Sequence, residues 1–307
     1  MKEIKIFSPA TVANLSCGFD VLGLCLDNVG DEMIIRKTQK KGIHIKKVNG
    51  YKIPLEPEKN VAGVSAMAIY EKLKVSHGFE IEITKNIKPG SGIGSSAASA
   101  SGAVFGINAL CGYPFSKKAL TKFAMKGEAI ASGTEHADNI APGIYGNITL
   151  IRSYSPLDIL EIKAPEELYI TVIHPQVEVK TSEARALLGD AVTMSDAIKQ
   201  LGNLGSLISG LHTSDYKRIG NSLNDYIAEP KRKVLIPRYN EVKKMAKSHG
   251  ALGSGISGSG PSIFVLTKGL KKALKVKSDV LPIYKDLDIK VNCYISKVNP
   301  NGIKILE

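Results

Sequence analysis

The chain of 307 residues contains no tryptophan, and aromatic residues make up only 6% of it. That leaves little with which to stack the bases of a single-stranded nucleic acid. The formal net charge of +12 comes mostly from scattered lysines, densest in KTQKKGIHIKK (37–47) and KGLKKALKVK (268–277), and neither cluster is interleaved with aromatics. Such stretches read as solvated basic faces, and the field they create suits small anionic ligands equally well. Cys17, Cys25, Cys111 and Cys293 show no C-x-x-C spacing, which excludes a zinc knuckle and a thioredoxin-like pair. They are expected to be buried or half-buried free thiols in a reducing compartment. No stretch approaches the ~20 apolar residues of a membrane span, and MKEIKIFSPA at the start lacks the apolar run of a signal peptide. The expectation is a cytoplasmic protein with neither a nucleic-acid nor a membrane partner.

The chain is 43% apolar and 23% charged, a globular composition long enough for two domains. Apolar–polar alternation marks strands at EIKIFSPA (3–10), breaking into a loop at Ser8-Pro9, and again at DEMIIRK, GIHIKKV and GFEIEIT (78–84). Helical patterns run over 60–73, 95–110 and 116–131, the last with Leu120, Phe123, Gly127 and Ile130 on one face. A hairpin is expected from GNITLIRS and DILEIK (146–163), followed by a linker, APEEL. Beyond it come a strand at 169–175, helices at 181–188, 194–212, 216–227 and 238–248, and strands at 261–267 and 290–296 around a lysine-rich helix. Without strict βαβ alternation the class is α+β, divided into residues 1–163 and 164–307.

Residues 88–102, KPGSGIGSSAASASG, place a glycine-rich loop between a strand and a helix made almost entirely of small residues. Such a junction offers unpaired backbone N–H groups and the positive end of a helix dipole to an anion. Glycine lets the backbone approach closely. Ser95 and Ser96 would cap the helix with hydroxyls also able to meet phosphate or metal. The competing structural explanation is a tight helix–helix contact that requires small side chains. The loop is not a Walker A motif, which is absent, and Gly253, Gly255 and Gly258 precede a proline and a strand, the wrong context for a dinucleotide fingerprint.

The stretch PGSGIGSSAAS resembles the phosphate-binding motif of the GHMP kinases. SPATVANLSCGFDVLGLCLD (8–27) resembles their N-terminal motif and GALGSGISGSGPSIFVL (250–266) their C-terminal one, in the expected order. Within the family, the N-terminal stretch resembles the homoserine kinase form of the motif. The resemblance implies a two-domain GHMP kinase fold, with a ribosomal-protein-S5-like ATP-binding domain followed by a ferredoxin-like α/β-plait domain. It also implies phosphorylation of the side-chain hydroxyl of L-homoserine by ATP, and a homodimer. ATP is then expected at Pro89, Gly90, Ser91, Gly92, Ile93, Gly94, Ser95, Ser96 and Ala97, with Asn60 and Lys85 near its adenine and ribose.

Family motifs carry the remaining roles. EHADNIAPGIYG (135–146), with Ala137 where the family has proline, assigns His136 and Asn139 to the reaction region. KTSEAR (180–185) assigns Thr181 and Arg185, and EPKRKVLIP (229–237) assigns Arg232. With Asn14, Asp20 and Gly258 they make the acceptor site, two arginines serving one carboxylate. Any one of these residues alone reads as a surface charge or a helix cap; their order along the chain makes the case. Ser96 and Glu128 match the family's Mg²⁺ ligands. Since Asn139 stands where mevalonate kinases have an aspartate, and an amide is no base, Asp20 is expected to orient the attacking hydroxyl. Rival readings are a shikimate-phosphorylating relative, a catalytically silent ligand-binding member, and a basic nucleic-acid binder.

Overall fold

The computed structural model describes residues 1–306, apart from the side chains of residues 131 and 132. The first half contains β1 (Glu3–Ala13), β2 (Leu22–Thr38), β3 (Ile43–Asn49), α1 (Val61–Tyr70), β4 (Gly78–Thr84), α2 (Ser95–Leu110), α3 (Lys117–Ser132), α4 (Ile140–Tyr145), β5 (Ile148–Tyr154) and β6 (Leu157–Ile162). The second contains β7 (Leu168–Pro175), α5 (Thr181–Ala186), α6 (Met194–Thr213), α7 (Tyr216–Ser222), α8 (Glu229–Arg232), α9 (Tyr239–Ser248), β8 (Gly253–Ile256), β9 (Ile263–Lys268), α10 (Leu270–Val280), β10 (Val291–Lys297) and β11 (Lys304–Ile305). The α+β class holds.

The long β2 organises the first sheet. Its second half pairs with β4, while its first half pairs with β5 of the β5–β6 hairpin, and β1 runs antiparallel along both. β1 does not break at Ser8-Pro9 as expected. It continues to Ala13, with a register shift between Pro9 and Thr11. A bulge accommodates the absence of an N–H at proline and bends the strand. That bend carries Thr11–Asn14 toward the glycine loop, where the Thr11 N–H donates to the Ile93 carbonyl at 3.2 Å.

Helix α2 lies on this sheet among Ile4, Ile6, Met33, Ile35, Phe79 and Ile81, all essentially inaccessible to solvent. Its small residues make the close approach possible: a Cβ on Gly102 would sit 2.4 Å from Met33 Sδ, and one on Gly106 2.5 Å from Ile35 Cδ1. The small residues of the helix body therefore serve close packing, but against the sheet, whereas the competing explanation from the sequence was a helix–helix contact.

The second sheet has the antiparallel order β10-β7-β9-β8. An apolar cluster including Val12, Leu22, Leu24, Ile170, Val172, Leu207 and Phe264 joins the two sheets. β8 is a departure from the sequence reading, which placed no strand between the helix at 238–248 and the strand at 261–267. After β10 the chain returns to the first sheet, where Ile6 and Phe7 pair with Ile305 and Lys304; the tail does not stay with the sheet that precedes it. The pattern over 216–227 ends as a helix at Ser222. Among the described residues no helix is long and apolar enough to cross a membrane, and all four cysteines are free.

Candidate active site

The glycine loop turns sharply because Gly90, Gly92 and Gly94 all adopt positive φ (71°, 78° and 69°). At Gly94 a Cβ would lie 2.1 Å from Thr11 Oγ1, and at Gly92 it would lie 2.5 Å from the Gly260 carbonyl oxygen, so no side chain fits either position. Gly94 is the N-cap of α2 and supplies no side-chain cap. Ser95 does not cap, contrary to expectation. Its hydroxyl donates inward to the Ile87 carbonyl at 2.9 Å, while the Ser96 hydroxyl bonds the Glu128 carboxyl. The first-turn N–H groups of α2 thus face the cleft without a competing side-chain acceptor, the arrangement that suits an anion.

Two structures brace this loop. From the second sheet, Ser257 and Ser262 donate to the carbonyls of Gly92 and Ser91 at 2.7 and 2.6 Å. From beneath, the Lys85 ammonium meets Asp31, the Ser95 carbonyl at 2.7 Å and the Ser99 hydroxyl at 3.0 Å. Asp31 also accepts from the N–H groups of Asn86 and Ile87. Burial pulls the Lys85 ammonium below its ordinary range, with the Asp31 charge opposing. Lys85 lines the cleft, and its ammonium braces the loop and first helical turn. Asn60, at the cleft wall, likewise uses its amide on backbone, capping α1 and donating to Pro54.

The segment linking β1 to β2 holds Asn14, Leu15, Ser16 and Asp20 at positive φ, a strained run that persists only where its surroundings over-determine it. Here Asn14 donates to the Gly258 carbonyl at 2.8 Å and accepts from the Asp20 N–H at 3.0 Å. The Tyr154 hydroxyl donates to the Asp20 carbonyl. The Asp20 carboxylate pairs with Arg185, whose Nη2 also donates to His136 Nε2 at 2.9 Å. Burial holds the His136 imidazole below its usual pKa; the Asp20 charge opposes this, and Arg185 and Arg232 reinforce it. A neutral ring is what that accepting role requires. Arg232 is 4% exposed and donates to the carbonyls of Ala184 and Gly258, both at 3.1 Å. The Thr181 hydroxyl lies 3.3 Å from that of Ser259.

Between these two ends stand two carboxyls. Burial pushes Glu128 up to about 7, against the Ser96 hydrogen bond. Asp138 is pushed up to about 7, first by burial and then by the charges of Asp20 and Glu128. Asn139 accepts from Thr11 Oγ1 at 2.8 Å.

One cleft of about 500 Å³ is lined by residues from both ends, from Ser96 and Glu128 through Asp138 and Asn139 to Asp20, His136, Thr181, Arg185 and Arg232. The remaining loop glycines, Asn14 and Gly258 join them. Ile93 and Ala97 do not: both side chains are buried in apolar clusters. The sequence reading missed Asp138, Thr11, Ser257 and Ser262. Asp138 stood within EHADN, but its neighbour absorbed the assignment. Among the described residues no group of three or more His, Cys, Asp or Glu side chains could hold a metal. A Mg²⁺ site here would share its ligands with phosphate oxygens, as Mg²⁺ sites commonly do.

A phosphate-accepting helix terminus that shares one cleft with paired arginines and carboxyls defines a small-molecule phosphotransferase. The family model described as GHMP kinases N terminal domain matches residues 60–147, and that described as GHMP kinases C terminal matches residues 207–284. The chain is 41% identical over 319 aligned positions to a homoserine kinase of Chloroherpeton thalassium, covering all of both chains. It is 39% identical to one of Methanococcus maripaludis, covering 98% of this chain and 97% of the relative. The crystal structure of homoserine kinase from Cytophaga hutchinsonii superposes with a TM-score of 0.96 at 46% identity, covering 100% of this chain and 98% of that one. The chain belongs to the GHMP kinase family, within its homoserine kinase group.

Proposed function

We propose that this chain transfers the γ-phosphoryl group of ATP to the side-chain hydroxyl of L-homoserine, forming O-phospho-L-homoserine and ADP in threonine biosynthesis. The observation that carries this reading is the single cleft joining the uncapped N-terminus of α2 to Arg185 and Arg232. Full-length similarity to homoserine kinases supports the choice of acceptor.

The loop N–H groups receive the phosphates, and the two guanidiniums receive the acceptor carboxylate. Asp20 orients the acceptor hydroxyl for in-line attack. An O–P bond forms to the γ-phosphorus as the bond to the β–γ bridging oxygen breaks, and the hydroxyl proton leaves to phosphate or solvent. Asn139 takes no proton, because its amide is no base at neutral pH and its oxygen already accepts from Thr11. The hard oxygen donors of Ser96 and Glu128, a buried carboxyl bonded to a helix-terminal hydroxyl, fit Mg²⁺, which would neutralise phosphate charge. The same reading places the protein in the cytoplasm as a homodimer. The exposed apolar residues Met194, Ile198 and Leu201 on α6 support self-association, which light scattering measures directly.

The test is ADP release with Mg²⁺-ATP and one acceptor per reaction: L-homoserine, shikimate, mevalonate or galactose. Turnover confined to homoserine is expected. Turnover with shikimate instead would replace the acceptor while keeping the phosphate site, and no turnover with any would favour a ligand-binding role.

A further inference from the structure

Phe19 sits between Gly18 and Asp20 in the strained segment after β1, half-buried. It is not among the residues that line the cleft. Its ring instead meets both arginines: the Arg232 guanidinium carbon lies 5.2 Å from the ring centroid and that of Arg185 lies 5.7 Å from it. Two guanidiniums of like charge repel, and both side chains spring from short helices, α5 of six residues and α8 of four. The negative faces of an aromatic ring attract both cations. The backbone on either side of Phe19 is held: Gly18 packs so close to Leu22 that a Cβ there would lie 2.4 Å from Leu22 Cδ1, and Asp20 is tied to Asn14, Tyr154 and Arg185.

We propose that Phe19 is a positioning residue that fixes the spacing and aim of Arg185 and Arg232, and thereby the selectivity for an acceptor bearing a carboxylate. This rests on the acceptor reading above. Arg232 is hydrogen-bonded to the backbone of Ala184 and Gly258, whereas among the described residues the hydrogen bonds of the Arg185 side chain go to Asp20 and His136, side chains an acceptor also approaches. When the acceptor draws Asp20 toward its hydroxyl, the Phe19 ring keeps the Arg185 head beside Arg232.

The test compares wild type with Phe19→Leu, which keeps apolar bulk but removes the ring face, and Phe19→Tyr, which keeps the ring. Each is assayed with L-homoserine and with 3-aminopropan-1-ol, which has the same amine and hydroxyl but no carboxylate. Phe19→Leu is expected to lower kcat/KM for homoserine about tenfold. It should leave the KM for ATP and kcat/KM for aminopropanol within about twofold of wild type, and Phe19→Tyr should stay near wild type with both acceptors. Equal losses with the two acceptors, or none with either, would overturn the proposal. Should Phe19→Leu fail to fold by circular dichroism, Phe19→Met poses the same question. A wild type that ignores homoserine refutes the acceptor reading alone; the comparison then uses the carboxylated acceptor that is turned over and its counterpart lacking the carboxylate.

Discussion

Lys85 and Asp31 form an ion pair closed off from solvent beneath the phosphate loop, with side chains 1% and 0% exposed. Removing one partner strands the other charge in the interior, which costs roughly 3–5 kcal/mol, whereas replacing both with apolar groups of similar volume costs far less. Lys85→Met is expected to lose that much in urea unfolding, and the double variant Lys85→Met, Asp31→Leu to recover part of it. Both should raise the KM for ATP, because the Ser95 carbonyl and Ser99 hydroxyl lose their common donor.

Stability of the ligand-free protein is expected to fall as the pH rises from about 5 to about 8. Glu128 moves from an ordinary 4.5 to about 7 in the fold, and Asp138 from 3.8 to about 7. Between the unfolded and folded values the native chain keeps protons that the unfolded chain has released, so raising the pH favours unfolding. For Glu128 the effect is on the order of 3 kcal/mol. Chemical denaturation across this range should show the decline, and Glu128→Gln should make it shallower while leaving the part due to Asp138; a stability that rises with pH would contradict the burial of both acids.

Saturation with Mg²⁺ is expected to require less metal at pH 8 than at pH 6, since Glu128 must shed its proton to act as a ligand. Glu128→Gln should cost about 100-fold in activity at fixed Mg²⁺, with partial recovery at high metal, and Ser96→Ala about tenfold. Mg²⁺ titrations of initial rate read both effects. An unchanged Mg²⁺ requirement in Glu128→Gln would remove this carboxyl from the metal site.

Asp20→Asn separates orientation from proton abstraction. The amide keeps the shape but weakens the pairing with Arg185, so the acceptor KM should rise about tenfold while kcat stays within about threefold. A kcat lower by about 10²–10⁴, with KM unchanged, would instead make Asp20 a general base.

The extent of α2 was legible because a glycine loop and small residues bound it, and the strands at 43–49 and 78–84 because their side chains alternate. Strand β1 was misjudged at Ser8-Pro9 because a proline signals a break locally, while the bulge that accommodates it arises only from pairing with β2. β8 was missed because glycine disfavours strands, and it is pairing with β9 that keeps Gly253–Ile256 extended.

By itself the sequence determined the chemistry available: a loop that only glycine can form, a helix terminus behind it, and an inventory of arginines, carboxyls and amides in ordered motifs. Tertiary structure alone decided what each group does. Arg185 finds Asp20 across 165 residues and His136 across 49, and no local pattern encodes such a meeting. It also committed the Lys85 ammonium to Asp31 and the first turn of α2 and brought Asp138 into the cleft. The reason is burial: the charge state and partners of an ionisable group depend on how far the fold removes it from water and on what it meets there.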